Sequence, residues 1–178
     1  MAWDEELFTL FDDLERQAQA QFSAEREVEL ADRSRAEYAS VSWGSRVMAS
    51  AGSPVSLDVL GVGTVAGSLD RVSDGWCLVR AAVRDWIVCW DAIGSIAGAS
   101  ARSLPELAWS PLARLGLGSA LRGLADAGQD CVLHLGDGTR YDATLGRVGQ
   151  DFVEARVGAR GELLVRFGAL AAVSSRDG

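Results

Sequence analysis

The chain has no lysine and no asparagine, one histidine, three cysteines and three prolines. Its seventeen basic residues are all arginine, a bias that codon usage in a GC-rich genome explains without invoking function. Against them stand twenty-five acids, and the net charge of −8 repels phosphate backbones, which argues against non-specific nucleic-acid binding. One histidine and three separated thiols, Cys77, Cys89 and Cys131, do not make a tetrahedral zinc site. An odd thiol count without an export signal reads as buried free cysteines on strands. No apolar run reaches the ~18 residues that cross a bilayer, and the N-terminus, Met1-Ala2-Trp3-Asp4-Glu5-Glu6, is acidic where an export signal is basic. A cytoplasmic protein with no membrane contact is expected.

What the chain does have is an internal repeat. Shifted by 76 positions, Val55, Leu57, Val59, Val65, Leu69, Arg71, Val72 and Trp76 fall on Cys131, Leu133, Leu135, Tyr141, Leu145, Arg147, Val148 and Phe152. With a shift of 77, Ile87, Val88, Trp90, Ala92, Ile93 and Ile96 fall on Leu164, Val165, Phe167, Ala169, Leu170 and Val173. A one-residue insertion between Trp76 and Ile87 accounts for the whole register. Matching apolar type at so many positions implies two copies of one small β unit. Units this small have marginal cores alone, so they are expected to pack on each other or on neighbouring segments.

Ahead of the repeat, residues 3–37 read as helix. Trp3, Leu7, Leu10, Phe11, Leu14, Ala18 and Phe22 follow the spacing of one apolar face, with acids filling the remainder of its first half. Each β unit is then preceded by a short helical stretch, Ser42–Met48 with a serine cap and Gly118–Leu124. Within the units polar and apolar residues alternate, as Ser56, Leu57, Asp58 and Val59 do. Turns fall at Gly61-Val62-Gly63, at Gly136-Asp137-Gly138, at Ser73-Asp74-Gly75 and at Gly149-Gln150-Asp151. Strands near 76–81, 85–90 and 93–97, and near 152–157, 162–167 and 170–174, complete five per unit. Closure of each five-stranded unit into a small barrel would remove its exposed edges. The expected architecture is mainly β with an N-terminal α-helix: a helical arm at 1–40, a first barrel at 41–98, a packed connector at 99–116 and a second barrel at 117–176. Leu104, Leu107, Trp109, Leu112 and Leu115 make that connector too apolar for a free linker, and Ser110-Pro111 opens a helical turn in it. Trp90 and Phe167, equivalent in the two copies, are expected in the cores.

The run from Val55 through Leu57, Gly61 or Gly63, Gly67 and Leu69 to Val72 resembles the first motif of Sm-like domains, whose short leading helix and five strands also match. The chain as a whole is similar to proteins of high-GC Gram-positive bacteria, some labelled as Fis-type regulators, although no basic helix-turn-helix is visible. The resemblance implies tandem Sm/SH3-like barrels. It does not carry the Sm-type RNA pocket, which uses an asparagine and a later basic residue. This chain has no asparagine, and the second-motif regions read Ile93-Gly94-Ser95-Ile96 and Leu170-Ala171-Ala172-Val173.

No catalytic, cofactor-binding or metal-ligating set stands out. His134 lies on the face of its strand opposite Leu133 and Leu135, where Asp58 stands in the first copy, and is expected at the surface. Gly61-Val62-Gly63 lacks the following helix and third glycine of a dinucleotide loop. Arg71 and Arg147 recur at the same point of each copy and are expected to pair with nearby acids. The expected function is a non-enzymatic protein–protein interaction or scaffold role. It would be exerted on a protein partner, or on a second copy of the chain, through Trp3, Leu7, Leu10, Phe11 and Leu14. The alternative is a nucleic-acid-associated regulator using Arg46, Arg71, Arg122 and Arg147, which the net charge disfavours.

Overall fold

The computed structural model describes residues 32–176 as an unbroken stretch, with Arg16, Gln17, Gln19, Arg26, Glu29 and Leu30 ahead of it. The chain forms two compact units, Met1–Val41 and Ser42–Gly178. In the first, every described residue between 16 and 39 is helical and exposed. The apolar stripe expected at Trp3, Leu7, Leu10, Phe11, Leu14, Ala18 and Phe22 lies outside the described residues. Among those described, no helix is long and apolar enough to cross a membrane.

The second unit is mainly β. It begins with α1 (Trp43–Met48), whose cap is reciprocal: the Ser42 hydroxyl accepts from the Ser45 backbone N–H at 3.2 Å, and the Ser45 hydroxyl accepts from that of Ser42 at 3.2 Å. Two donors that the first turn would leave unpaired are thereby satisfied. Five strands follow: β1 (Pro54–Val59), β2 (Gly63–Ser73), β3 (Trp76–Arg80), β4 (Asp85–Cys89) and β5 (Ile93–Ala97). A connector leads to α2 (Leu117–Asp126), and then come β6 (Asp130–Leu135), β7 (Arg140–Val148), β8 (Phe152–Val157), β9 (Gly161–Arg166) and β10 (Leu170–Ser175).

The pairings of the first five strands map onto those of the last five under the shifts of 76 and 77. Leu57 opposite Val65 corresponds to Leu133 opposite Tyr141, and Leu57 opposite Ile96 to Leu133 opposite Val173. Trp76 opposite Cys89 corresponds to Phe152 opposite Arg166. Because Arg80 opposite Asp85 corresponds to Arg156 opposite Glu162, the inserted residue falls in the β8–β9 turn. The turns hold their shape with glycines at positive φ. Gly61 (φ +72°) is the tightest, since a Cβ there would lie 2.5 Å from the Leu135 carbonyl oxygen at the end of β6.

The strands do not close into two separate hydrogen-bonded barrels, as the sequence suggests. They form one open antiparallel sheet in the order β5-β1-β2-β3-β4-β10-β6-β7-β8-β9. The expectation of closure assumed that β4 finds its partner within its own half. Instead β4 pairs with β10, placing Ile87 opposite Val173 and Trp86 opposite Ser174. That contact covers an edge with a strand of matching apolarity, which self-closure over five short strands does not achieve here.

Two cores lie along this sheet. Leu57, Leu69, Val79 and Val88 are the fully buried centre of the first, and Leu121, Leu133, Val153 and Val173 that of the second. The cores exchange side chains at the β4–β10 seam: Ala171 and Ala172 of β10 pack into the first, while Trp76 and Ile87 of β3 and β4 pack into the second. The connector is tied to both. Ser110 caps its Pro111–Arg114 turn, accepting from the Ala113 N–H at 3.2 Å. The Trp109 indole donates to the Leu104 carbonyl at 2.9 Å and meets the Trp90 ring edge-on, centroids 6.3 Å apart. The Trp76 indole donates to the Leu115 carbonyl at 2.8 Å.

Two expectations need correction. Leu107, Leu112 and Leu115 do not pack; Leu107 is 95% exposed, and Leu104 and Trp109 hold the connector instead. Trp90 and Phe167 are only half-buried, because each opens a 3-10 turn at the rim of its core, after the strand has ended. The deep core is consequently aliphatic. Leu57→Ala and Leu133→Ala should each cost about 2–5 kcal/mol in chemical denaturation, and Leu107→Ala under about 0.5 kcal/mol. A cost below about 1 kcal/mol at either core leucine would contradict the burial of that strand.

Candidate functional site

The β4–β10 seam also shapes the surface. A cleft of about 380 Å³ opens where β2, β3 and β4 of the first half meet β10, the start of β6 and α2 of the second. Strand alternation sends Trp76, Leu78 and Ile87 toward it from one side, and Val173, Cys131 and Leu124 line the other. Its rim is charged: Asp70, Arg71, Arg80, Asp85 and Asp130 stand around the apolar floor. Arg80 and Asp70 face each other across the β2–β3 ladder at 3.2 Å, and Asp130 accepts from the Thr144 hydroxyl at 2.8 Å and lies 3.6 Å from Arg176. Arg71 stands on the same rim. Such a site suits an amphipathic guest with an apolar body and polar ends, such as a side chain of another protein.

Nucleophilic chemistry is poorly served at this cleft. Burial pushes the Cys131 thiol up to about 11, with the Asp130 carboxylate adding to the effect. Burial likewise raises Cys77 and Cys89 to about 12. All three are protonated near neutral pH, and a thiol is a far weaker nucleophile than a thiolate.

His134 is not at the surface; it is 2% exposed. The seam is the reason. Pairing of β4 with β10 brings Trp86 over that face of β6, its ring 5.0 Å from the imidazole, while the Ser174 hydroxyl of β10 lies 3.1 Å from Nε2. Nδ1 is buried without a hydrogen-bond partner among the described residues. Burial first, then the positive charges of Arg140 and Arg84, lower its pKa from 6.5 to about 4. It is a neutral interior histidine, with no sequence signal to say so, because the residue that covers it lies 48 positions upstream.

The arginines considered from sequence serve separate local roles. Arg46 of α1 donates from Nε to the Ser100 carbonyl at 2.7 Å. Arg122 of α2 donates to the Ser119 hydroxyl at 3.4 Å. Arg147 forms a two-pronged contact with Glu154, at 2.9 and 2.8 Å, which holds the Glu154 carboxyl below its usual range. Its equivalent Arg71 lies opposite Leu78, which stands where Glu154 stands in the second half, so the expected acid is missing there. Of the four, only Arg71 lines the cleft. The cleft itself escaped the sequence reading. The signal available was the replacement of Gly94-Ser95 by Ala171-Ala172: a strand covered on both edges and both faces is uniformly apolar.

His134 sets a pH dependence. The unfolded chain protonates this residue below about 6.5 and the folded chain only below about 4. The stability it contributes is therefore complete above the first value and lost as pH falls toward the second, by up to ~3 kcal/mol. His134→Gln should flatten the slope of unfolding free energy against pH in that window, measured by urea titration. An unchanged slope would show that the imidazole protonates in the folded state. Neither known protein families nor curated proteins match this chain.

Proposed function

We propose that the chain is a non-enzymatic scaffold acting through protein–protein contacts, built as a tandem of two Sm/SH3-like units behind an N-terminal helical arm. The observation that carries this reading is the pair of edge strands, β5 and β9, at the two ends of the ten-stranded sheet, each paired on one side alone among the described residues. An edge strand presents a row of free N–H and C=O groups, and adding a strand is a standard way for one protein to bind another. The equal pairing registers of the two strand sets support the tandem reading, and the protonated thiols and neutral buried imidazole support a role other than catalysis. The partner-binding arm is assigned to Trp3, Leu7, Leu10, Phe11 and Leu14, whose spacing suits a helix laid into a groove, with the neighbouring acids steering a basic partner.

Titrating the full chain with single-stranded RNA and with duplex DNA at low and moderate salt tests the reading. Binding to both is expected to stay weaker than the ~10⁻⁴–10⁻⁶ M range of ordinary non-specific binders. A tighter affinity that falls steeply with salt would replace the scaffold by a nucleic-acid-associated regulator. Removing residues 1–22 is expected to abolish recovery of a co-purifying protein while leaving the melting temperature of the Ser42–Gly178 unit within about 2 °C, since less than ~1 kcal/mol of its stability is then involved.

A further inference from the structure

The internal repeat supplies its own comparison for the cleft at the seam. In the second half Arg147 of β7 donates from Nε and Nη2 to the two carboxylate oxygens of Glu154 on β8, at 2.9 and 2.8 Å. The ladder is irregular at the same point in both halves, between Leu69 and Arg71 and between Leu145 and Val148. Arg71 holds the register position of Arg147, but the residue opposite it is Leu78. An arginine fork in the same place has lost its carboxylate. Among the described residues the Arg71 side chain has no hydrogen bond or ion pair.

What replaced the acid is a wall of the cleft. Leu78 lines it with Trp76, Ile87 and Leu124, all of which belong to the second core or pack against it. A guest that brings a carboxylate to Arg71 therefore meets apolar surface beside it, in a space of about 380 Å³ that is of small-ligand size. The rim restricts the guest further. Arg80 is engaged by Asp70 at 3.2 Å, and Asp85 and Asp130 add negative charge along the rim, so the site favours one carboxylate and repels a second. The lining strands β2, β3, β4, β6 and β10 each pair with a neighbour on both sides. Their backbone groups are engaged, and the cleft offers no strand edge to a peptide main chain. A body without peptide groups is the better fit.

We propose that the cleft binds a small monocarboxylic acid with an aliphatic or aromatic body. Arg71 grips the carboxylate with two prongs, as Arg147 grips Glu154, and the body lies over Trp76, Leu78 and Leu124. Burial of the body supplies most of the affinity, because an ion pair at an exposed rim adds little alone. The guanidinium supplies orientation and the choice of a planar anion. This site goes beyond the scaffold reading and does not depend on it, since neither β5 nor β9 lines the cleft.

Calorimetric titration of the full chain with octanoate is the test, and an affinity tighter than about 1 mM is expected. Octanol, with the same body and no charge, and octanedioate, with a second carboxylate, should each bind at least ~5-fold more weakly. Arg71→Gln should weaken octanoate binding at least ~5-fold and leave octanol unchanged. Arg147→Gln, which removes an arginine already paired, should leave octanoate binding unchanged. Leu78→Glu restores the acid of the second half and should suppress octanoate binding with Arg71 still present. Should that variant fail to fold, as circular dichroism would show, the Arg71→Gln and octanol comparisons still decide. No heat of binding up to about 10 mM octanoate overturns the proposal. So does octanoate binding that is no tighter than that of octanol, or that survives Arg71→Gln undiminished, because the cleft would then be an apolar hollow without an anion site. A short peptide ending in leucine that binds at least ~10-fold tighter than octanoate also overturns it, by assigning the cleft to the end of a partner chain.

Discussion

The pairing of β4 with β10 is the constraint on which the Ser42–Gly178 unit depends. Each half alone is too small to bury a large core, and each presents strand edges that cost free energy or invite other chains. The seam removes one edge from each half at once. It also trades side chains between cores, since Ala171 and Ala172 complete the first while Trp76 and Ile87 complete the second. A substitution at the seam is therefore felt in both cores, and the two halves are expected to unfold together.

The same seam explains where the polar interior lies. His134 would stand on an open face of β6 were Trp86 not delivered to it by β4, and Ser174 supplies its hydrogen bond from β10. Asp58, its equivalent in the first half, has no such cover and behaves as a surface carboxylate. It accepts from Ser95 at 2.7 Å and Thr64 at 3.0 Å, bonds that favour its charged form. One repeat position thus holds a charged group at the open edge and a neutral one at the closed seam. The difference follows solvent access, because a charge can be kept only where water or partners compensate its desolvation.

Divergence between the halves follows the same logic. Arg147 retains its acid, Glu154, on the exposed ladder of β7 and β8. Arg71 has Leu78 in that place, and Leu78 lines the cleft that the seam creates. Gly94-Ser95 at the free edge become Ala171-Ala172 inside the sheet. Each change moves a residue toward the environment that its strand meets once the halves are joined.

Much of this was legible in local pattern. Alternation and turn glycines placed strands near 76–81, 85–90, 93–97, 152–157, 162–167 and 170–174, each within a residue or so of where it lies; Ser42 and Ser110 marked two helical caps, and the shifts of 76 and 77 matched positions whose pairings are equivalent in the two halves, as Leu57 with Ile96 and Leu133 with Val173. These features depend on neighbours within a few residues, or on a register that two copies share, and both are written along the chain. What lay beyond the sequence was which strand meets which at the ends of each half. A β4-type edge can pair within its half, across halves or with another molecule, and all three leave the same apolar alternation. The burial of His134 and the cleft around Arg71 both follow from that single choice. The sequence alone determined the strands and their order within each half; the tertiary structure decided the partner of β4, because hydrogen-bonding edges are chemically alike and only packing in three dimensions distinguishes among them.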